Sequence, residues 1–217
     1  MAYDLFFLSH DEPMADLHWQ WLHRTQPHAK RVTGIAGILA AHHHCALLAR
    51  TSNFFVIDAD NEIIDMDFSI RIPDHDKQYV HIWRARNPVN DLIYGWGGIK
   101  LFPKKLLLQR SQMPLDMSTS YPLKIMPQLA SITHFNTSAF STWRSAFREC
   151  VKLSRNDTAE AQERLAVWCS VAHGPFAEWC LHGARAGRDF GLANVDLLRI
   201  NDWSWLQQQF EAINVHQ

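Results

Sequence analysis

The chain has 217 residues, of which 47% are hydrophobic and 20% are charged. This length and composition are typical of an ordered globular protein, and they exclude a disordered or fibrous chain. Its 21 Lys and Arg residues are balanced by 22 Asp and Glu residues, so the formal net charge is -1. A charge near zero argues against the strongly basic class of proteins that bind nucleic acids or anionic membranes.

Cysteine spacing and hydropathy indicate the compartment. The four cysteines form no Cys-x-x-Cys pair, which is typical of reduced thiols rather than of a disulfide framework or a zinc cluster. No apolar run approaches the roughly 20 residues that a membrane helix needs. Acidic residues lie near the amino terminus, where a secretory signal would be basic. We therefore expect a cytoplasmic protein without a membrane partner.

Short apolar runs alternate with helical patterns in the first half of the chain. Continuous apolar runs predict buried strands, and apolar residues at helical spacing predict helices. The predicted strands are residues 3–9, 30–33 and 53–57, and the predicted helices are residues 14–25 and 34–50. This alternation predicts an α/β fold with a mixed, mostly parallel sheet flanked by helices.

The second half is predicted to become helical. Residues 79–84 and 99–102 are predicted strands, with a glycine-rich loop at 87–98 between them and a short helix after Pro103. Residues 114–127 are predicted to be irregular. The predicted helices of the carboxyl-terminal part are residues 141–153, 157–171, 176–186 and 203–213. Asp157 and Glu160 have the spacing of a capping box.

Two aspartates flank a small residue directly after the apolar strand at 53–57. In open α/β sheets, ligands gather at the carboxyl ends of the strands, and both Asp58-Ala59-Asp60 and His10-Asp11-Glu12 follow such ends. Carboxylate oxygens suit Mg²⁺ or Mn²⁺ and leave coordination positions for phosphate oxygens. The motif therefore predicts a metal-assisted diphosphate site. The alternative is an ordinary turn with capping carboxylates.

A resemblance to known enzymes begins at this motif. The segment FFVIDADNEI (54–63) resembles the donor-binding half of GT-A glycosyltransferases, in which an Asp-x-Asp motif ends a central strand. Further segments are similar to small glycosyltransferase-like proteins of tailed phages, and they are SHDEP (9–13), KRVTGIAGILAAH (30–42), NPVNDLIYGWGGIKLFP (87–103) and FNTSAFSTWRSAFRECVKL (135–153). The resemblance is strongest over residues 1–153. It implies a GT-A-like fold, and the host cytoplasm as the location if the protein is phage-encoded.

The resemblance assigns the donor site. It implies that Asp58 and Asp60 bind Mn²⁺ or Mg²⁺ with a nucleoside diphosphate sugar, most often a UDP-sugar in similar enzymes. It also implies that Asp11 or Glu12 faces the base or ribose, whereas the alternative for this pair is a helix cap before Pro13.

Two basic side chains complete the predicted donor site, namely His42 and Lys100. The run His42-His43-His44 also suggests a metal site, but consecutive helix residues point about 100° apart and cannot chelate one ion together. Many GT-A enzymes take a histidine from the carboxyl half as a third metal ligand, and His134 and His173 are the candidates.

The acceptor is expected at the glycine-rich loop. Glycines let a backbone approach a sugar closely, and the loop is similar to the Gly-Trp-Gly-Gly acceptor loop of some galactosyltransferases. Ile99 and Lys100 stand where those enzymes have acidic residues, so Asp91 is the candidate general base of this loop. The predicted acceptor-binding residues of the loop are Tyr94, Trp96, Gly97 and Gly98. The alternative for the loop is a β-bulge corner.

A basic stripe is predicted on the helix at 141–153. Arg144, Arg148 and Lys152 share one helical face, opposite an apolar face that includes Trp143 and Phe147. Arg144 and Arg148 are therefore further candidates for acceptor binding through phosphates. The alternative is a solvated surface.

The resemblance implies one GT-A-like domain, with residues 1–102 binding the nucleotide sugar and residues 103–217 forming the acceptor side and a helical tail. The expected activity is transfer of a sugar to a hydroxyl acceptor, either a hydroxymethylated base in phage DNA or a glycan or small molecule. A noncatalytic nucleotide- or carbohydrate-binding protein is the alternative from another class. A nucleotidyltransferase is the second enzymatic alternative, although the first strand is not followed by a glycine-rich phosphate loop.

Overall fold

The computed structural model describes residues 2–109, 115, 120–193 and 196–214, apart from the side chains of Trp96, Gly97 and Asn214. The chain divides into two compact units. The first, Met1–Arg86 with Ile93–His134, is an α/β unit, and the second, Asn87–Leu92 with Phe135–Gln217, is helical. Among the helices of the described ranges, none is long and apolar enough to cross a membrane.

The strands of the first unit form one mixed sheet. Its described strands are β1 Asp4–Ser9, β2 Lys30–Thr33, β3 Asn53–Asp58, β4 Asn61–Ile63, β5 Val80–Arg86, β6 Ile93–Pro103 and β7 Leu123–Thr133, and its α-helices are α1 Ala15–Thr25, α2 Ile38–Leu48 and α3 Lys104–Gln109. The strand order is β2-β1-β3-β6-β5-β7-β4. Strand β1 pairs in parallel with β2 and β3, and β5 pairs in parallel with β7, whereas β6 is antiparallel to both β3 and β5, and β4 is antiparallel to β7. The predicted α/β fold with a mixed sheet flanked by helices is confirmed.

Alternation along the strands builds a core on each face of the sheet. Phe7 and Phe55 lie in one buried cluster, and Phe6 and Phe54 lie in the other, as expected when successive side chains of a strand point to opposite faces. Helix α1 contributes Leu22 to the first cluster, and helix α2 contributes Ala46 to the second. Both faces are therefore covered, which explains why β3 is apolar along nearly its whole length.

The prediction of a loop at 87–98 is wrong for the second half of that segment. Residues from Ile93 onward belong to β6, where Tyr94 pairs with Ala85 of β5 and Ile99 pairs with Ile57 of β3. Glycine disfavours strands locally, but β6 has a strand on each side, and the ladder hydrogen bonds outweigh that preference. A side chain at Gly98 would also collide with Asn61, since its Cβ would lie 2.0 Å from Asn61 Oδ1.

Strands β4 and β7 were not predicted. Strand β7 falls partly in the segment predicted to be irregular, of which residues 114 and 116–119 lie outside the described residues. Proline disfavours a central strand, so Pro127 favoured the prediction of an irregular segment. It lies in β7 where the register with β5 shifts, between the pairs Trp83–Met126 and Arg84–Leu129, and a bulge of this kind tolerates a residue without a backbone N–H.

The second unit contains the four helices predicted for the carboxyl-terminal part, and that prediction is confirmed. They are α4 Ala139–Leu153, α5 Ala159–Ser170, α6 Ala177–Leu192 and α7 Trp203–Asn214. The predicted capping box at Asp157 is wrong, because Thr158 caps α5 by accepting a hydrogen bond from the Ala161 amide. A capping box is instead present at Ser138 and Ser141, at the start of α4.

Helices α4 and α6 pack at very short range. A Cβ on Gly183 would lie 2.3 Å from the carbonyl oxygen of Trp143, and one on Gly187 would lie 2.2 Å from that of Phe147. Glycines four residues apart lie on one face of a helix, so they form a flat stripe against which the backbone of α4 fits. The face of α4 that was predicted to be apolar is buried there.

Candidate functional site

The two predicted acidic segments follow neighbouring parallel strands. Asp58, the last residue of β3, is in register with Leu8 of β1, and the amide of Ala59 donates a hydrogen bond to the Leu8 carbonyl at 3.0 Å. Because the strands are parallel, their carboxyl ends lie at the same edge of the sheet. Glu12, which follows β1, is close enough for its charge to act on Asp60. The sheet therefore brings these carboxylates together as predicted.

A buried lysine holds the first aspartate of the motif. Lys100 lies on β6 with 3% of its surface exposed, and its Nζ lies 2.9 Å from Asp58 Oδ2, while 30% of the Asp58 side chain is exposed. An unpaired charge is costly to bury, so a lysine in this position needs its carboxylate partner. Both residues were predicted in the donor site, but nothing in the sequence indicated that they pair with each other.

The second aspartate is oriented by a buried amide. Asn61 Nδ2 donates to Asp60 Oδ1 at 2.6 Å, and Asn61 Oδ1 accepts from Ser131 Oγ at 3.0 Å and from Thr133 Oγ1 at 2.8 Å. The two hydroxyl donors fix which end of the amide faces Asp60. Sequence analysis missed Asn61 because its hydroxyl partners belong to β7, a strand that was not predicted.

Negative charge is concentrated around Asp60. Burial raises the pKa of this carboxyl to about 7, with further contributions from the charges of Asp58 and Glu12. The hydrogen bond from Asn61 and the charge of Lys100 oppose this shift without cancelling it. A cation that binds beside such a carboxyl stabilises its ionised form.

The residues present fit a divalent cation that binds together with phosphates. Across the described ranges, no three His, Cys, Asp or Glu side chains are arranged to hold a metal ion. His134 Nε2 instead lies 2.8 Å from Glu62 Oε2. Two carboxylates remain, and Mg²⁺ is commonly bound by one or two carboxylates plus the phosphates of a substrate. Asp58 and Asp60 therefore fit such a cation better than they fit a permanently bound metal.

His42 is a buried, neutral histidine next to this charge cluster. Its Nδ1 lies 2.8 Å from the Ile38 carbonyl oxygen, which can only accept, so Nδ1 carries the proton. The Nε2 atom is then an acceptor, and among the described residues it has no hydrogen-bond partner. Burial lowers the pKa of His42 to about 4, and the charge of Lys100 adds to this effect. His42 is fully buried whereas His44 is exposed, in keeping with the argument against a triple-histidine metal site.

Other predicted site residues of the first unit occupy different surroundings. Asp11 is exposed and lies 3.3 Å from His10 Nε2. Tyr94 has only 5% of its surface exposed, so little of its ring is open for stacking on a sugar. Trp96 and Gly97 lie in β6, and their side chains lie outside the described part of the chain.

The second unit contains the remaining predicted acceptor residues. Asp91 has a left-handed backbone with φ of 57°, and its Oδ2 lies 3.8 Å from His173 Nε2. The guanidinium of Arg144 lies 3.8 Å from the centre of the Trp203 ring. Arg148 Nη2 donates to Asn201 Oδ1 at 2.9 Å. The basic stripe is thus engaged in contacts within the helical unit.

Comparisons with known proteins come from solved structures alone. No protein-family profile matches the chain, and the search of curated proteins finds no relative. A protein described as a glucose-1-phosphate thymidylyltransferase from Bacillus anthracis, in complex with a sucrose, is similar over 48% of this chain, with 20% identity and a TM-score of 0.31. The similar region spans only about half, 54%, of that protein's own length.

Two further structures show comparable likeness. HddC from Yersinia pseudotuberculosis is similar over 60% of this chain and 88% of its own, with 12% identity and a TM-score of 0.34. The mannosyltransferase PcManGT from Pyrobaculum calidifontis, in complex with GDP-Man and Mn²⁺, is similar over 99% of this chain and 81% of its own, with 11% identity and a TM-score of 0.45. Likeness at this level assigns neither a family nor an activity, so the function proposed next rests on the chain's own residues.

Proposed function

We propose that the chain is a glycosyltransferase that uses a nucleoside diphosphate sugar, with the donor diphosphate held at Asp58 and Asp60 through Mn²⁺ or Mg²⁺. The observation that carries the proposal is the meeting of two acidic segments at one edge of the sheet, where Asp58 ends β3 in register with Leu8 of β1 and the charge of Glu12 acts on Asp60. Asp58 and Asp60 would hold the cation, and the cation would offset the negative charge of the donor diphosphate.

The neighbouring side chains prepare these carboxylates. Lys100 holds Asp58 in one orientation through its 2.9 Å contact, and Asn61 holds Asp60 through its 2.6 Å contact. Glu12, which is only partly buried, is proposed to bind the nucleoside part of the donor, whereas Nε2 of the fully buried His42 is closed to a ligand. When bound, the divalent cation neutralises charge that develops on the departing diphosphate.

For the acceptor, we propose a hydroxyl group of a glycan or small molecule rather than of duplex DNA. DNA binding depends on many Lys and Arg contacts to phosphates, but the net charge is -1. Arg144 and Arg148 contact Trp203 and Asn201, and Lys152 Nζ lies 2.7 Å from Glu149 Oε2. The role of Asp91 as a general base stays a prediction from the sequence.

The test is diphosphate release from a panel of nucleotide sugars, measured with Mn²⁺, with Mg²⁺ and with a chelator. UDP-sugars are tried first, followed by GDP-, CDP- and dTDP-sugars. We expect metal-dependent release that is lost in Asp60→Asn and retained in Asp65→Asn, a matched change at an exposed aspartate of the segment after β4. Nucleotide binding without release from any donor would indicate the noncatalytic alternative, and the absence of binding would refute the donor site.

A further inference from the structure

The backbone between the two aspartates of the motif leaves the sheet. Strand β3 ends at Asp58 and β4 begins at Asn61, so Ala59 and Asp60 form a turn between them. Ala59 has only 1% of its surface exposed, and a buried carbonyl outside a strand ladder needs another donor. His18 of α1 provides it, because its Nδ1 lies 2.8 Å from the Ala59 carbonyl oxygen. A carbonyl oxygen can only accept, so Nδ1 is the donor.

This contact is one of three that hold consecutive peptide groups of the motif. The Ala59 amide donates to the Leu8 carbonyl at 3.0 Å, and the His134 amide donates to the Asp60 carbonyl at 2.6 Å. His18 holds the peptide group that lies between these two. Each peptide group is planar, so the backbone on both sides of the Asp60 Cα atom is fixed. The three contacts therefore set the direction in which the Asp60 side chain leaves the backbone.

His18 occupies a position on α1 where an apolar residue would be expected. The buried residues of this helix are Ala15, His18 and Leu22, which have the spacing of one helical face. His18 has 9% of its surface exposed, and Ala15, Leu22 and Ala59 belong to one buried apolar cluster. A leucine would fill this position, but it would leave the Ala59 carbonyl without its donor, which is costly in a buried place. The contact with the motif explains why the residue is polar.

We propose that His18 is a positioning residue of the cation site, an inference that rests on the proposed function. His18 acts through the Ala59 carbonyl and fixes the backbone of Asp60, while Asn61 fixes the Asp60 carboxylate itself. The two carboxylates of the motif are thereby held in place before a cation binds. Removing a group that orients a metal ligand typically weakens metal binding by about 10–100-fold.

The test measures the binding of Mn²⁺ in the presence of UDP, from the electron paramagnetic resonance signal of free Mn²⁺. We expect His18→Leu to weaken Mn²⁺ binding by about 10–100-fold. His18→Asn should restore most of the affinity, because Nδ2 of asparagine and Nδ1 of histidine are the same number of bonds from the backbone. His23→Leu is the matched control, since His23 is an exposed histidine of the same helix whose ring stacks on Trp19. This variant should bind Mn²⁺ as the wild type does.

The outcomes separate this inference from the proposed function. All variants are compared well below their Tm, so that a loss of stability is not mistaken for a loss of binding. Wild-type affinity in His18→Leu would overturn the positioning role, and so would a His18→Asn variant that binds as weakly as His18→Leu. A wild-type chain that binds no Mn²⁺ with UDP, GDP, CDP or dTDP would instead refute the donor site, and His18 would then have no cation site to position.

Discussion

The ammonium of Lys100 lies 2.9 Å from the carboxylate of Asp58, although 42 residues separate the two in the sequence. The pairing is made by the antiparallel contact of β6 with β3, in which Lys100 lies opposite Val56. Asp58 therefore has two proposed tasks, to balance a buried charge and to help hold a cation with the donor. The predictions below separate the two tasks.

The first prediction concerns the ion pair. Removing one partner of a fully buried pair costs about 3–5 kcal/mol, and because part of Asp58 faces solvent we expect Asp58→Asn to cost about 1–3 kcal/mol. The double variant Asp58→Asn/Lys100→Met should recover most of that loss of stability, because no unpaired charge then stays buried. Urea unfolding of the wild type, both single variants and the double variant measures this coupling. Additive losses would mean that the two groups do not interact.

The second prediction concerns the joint binding of cation and nucleotide. A ligand at about 100 times its Kd stabilises the folded state by about 2.7 kcal/mol, and for a chain of this size each kcal/mol moves Tm by about 2–4 °C. UDP with Mn²⁺ should therefore raise Tm by several degrees, and either one alone should raise it much less. Asp60→Asn should abolish the joint shift, whereas Asp65→Asn should keep it. If UDP, GDP, CDP and dTDP all fail to shift the melt in a metal-dependent way, the motif is an ordinary turn.

The third prediction concerns the amide that orients Asp60. Gly98→Ala places a methyl group 2.0 Å from Asn61 Oδ1, and an overpacked site typically costs about 1–3 kcal/mol. Asn61 cannot turn away freely, since Ser131 and Thr133 both donate to it. We expect Gly98→Ala to lower both stability and donor turnover. Gly95→Ala is a suitable comparison on the same strand, because the nearest neighbour of its Cβ would be the terminal Cδ1 of Ile125, and the other near atoms belong to the same side chain.

The fourth prediction concerns pH. The reaction of iodoacetamide requires the thiolate form of cysteine, and the pKa of Cys169 is lowered to about 7. Its alkylation rate should therefore rise between about pH 6 and pH 8 with a midpoint near 7, below the ordinary cysteine value of about 8.5. Cys150→Ala should move the midpoint upward, because a hydrogen bond with Cys150 is the largest cause of the lowered pKa of Cys169. A midpoint that does not move in this variant would show that Cys150 does not lower the pKa of Cys169.

The fifth prediction concerns the acceptor. With the net charge at -1 and Arg144 stacked on Trp203, we expect no measurable binding to hydroxymethylated duplex DNA at physiological salt. Electrophoretic mobility shifts or anisotropy across a salt series would detect it. Tight binding that fades steeply with salt, as release of counterions requires, would restore DNA as the acceptor.

Local patterns in the sequence determined most of the elements and the position of the acidic motif. The apolar run before Asp58 is long enough to require burial on both faces, so β3 and its carboxyl end were predictable without any knowledge of its neighbours. The same holds for the helices of the second unit, because the 3.6-residue period of an amphipathic helix is visible within one segment. These are properties of residues close together in the chain.

The tertiary structure alone decided which side chains meet. Strand β6 carries glycines that disfavour a strand locally, and β7 carries Pro127, so both needed their sheet partners to form. The contact of Lys100 with Asp58 and that of Asn61 with Thr133 depend on the pairing of strands far apart in the sequence. No local period encodes such partners, because strand register and helix packing are set by the burial of whole faces of the fold.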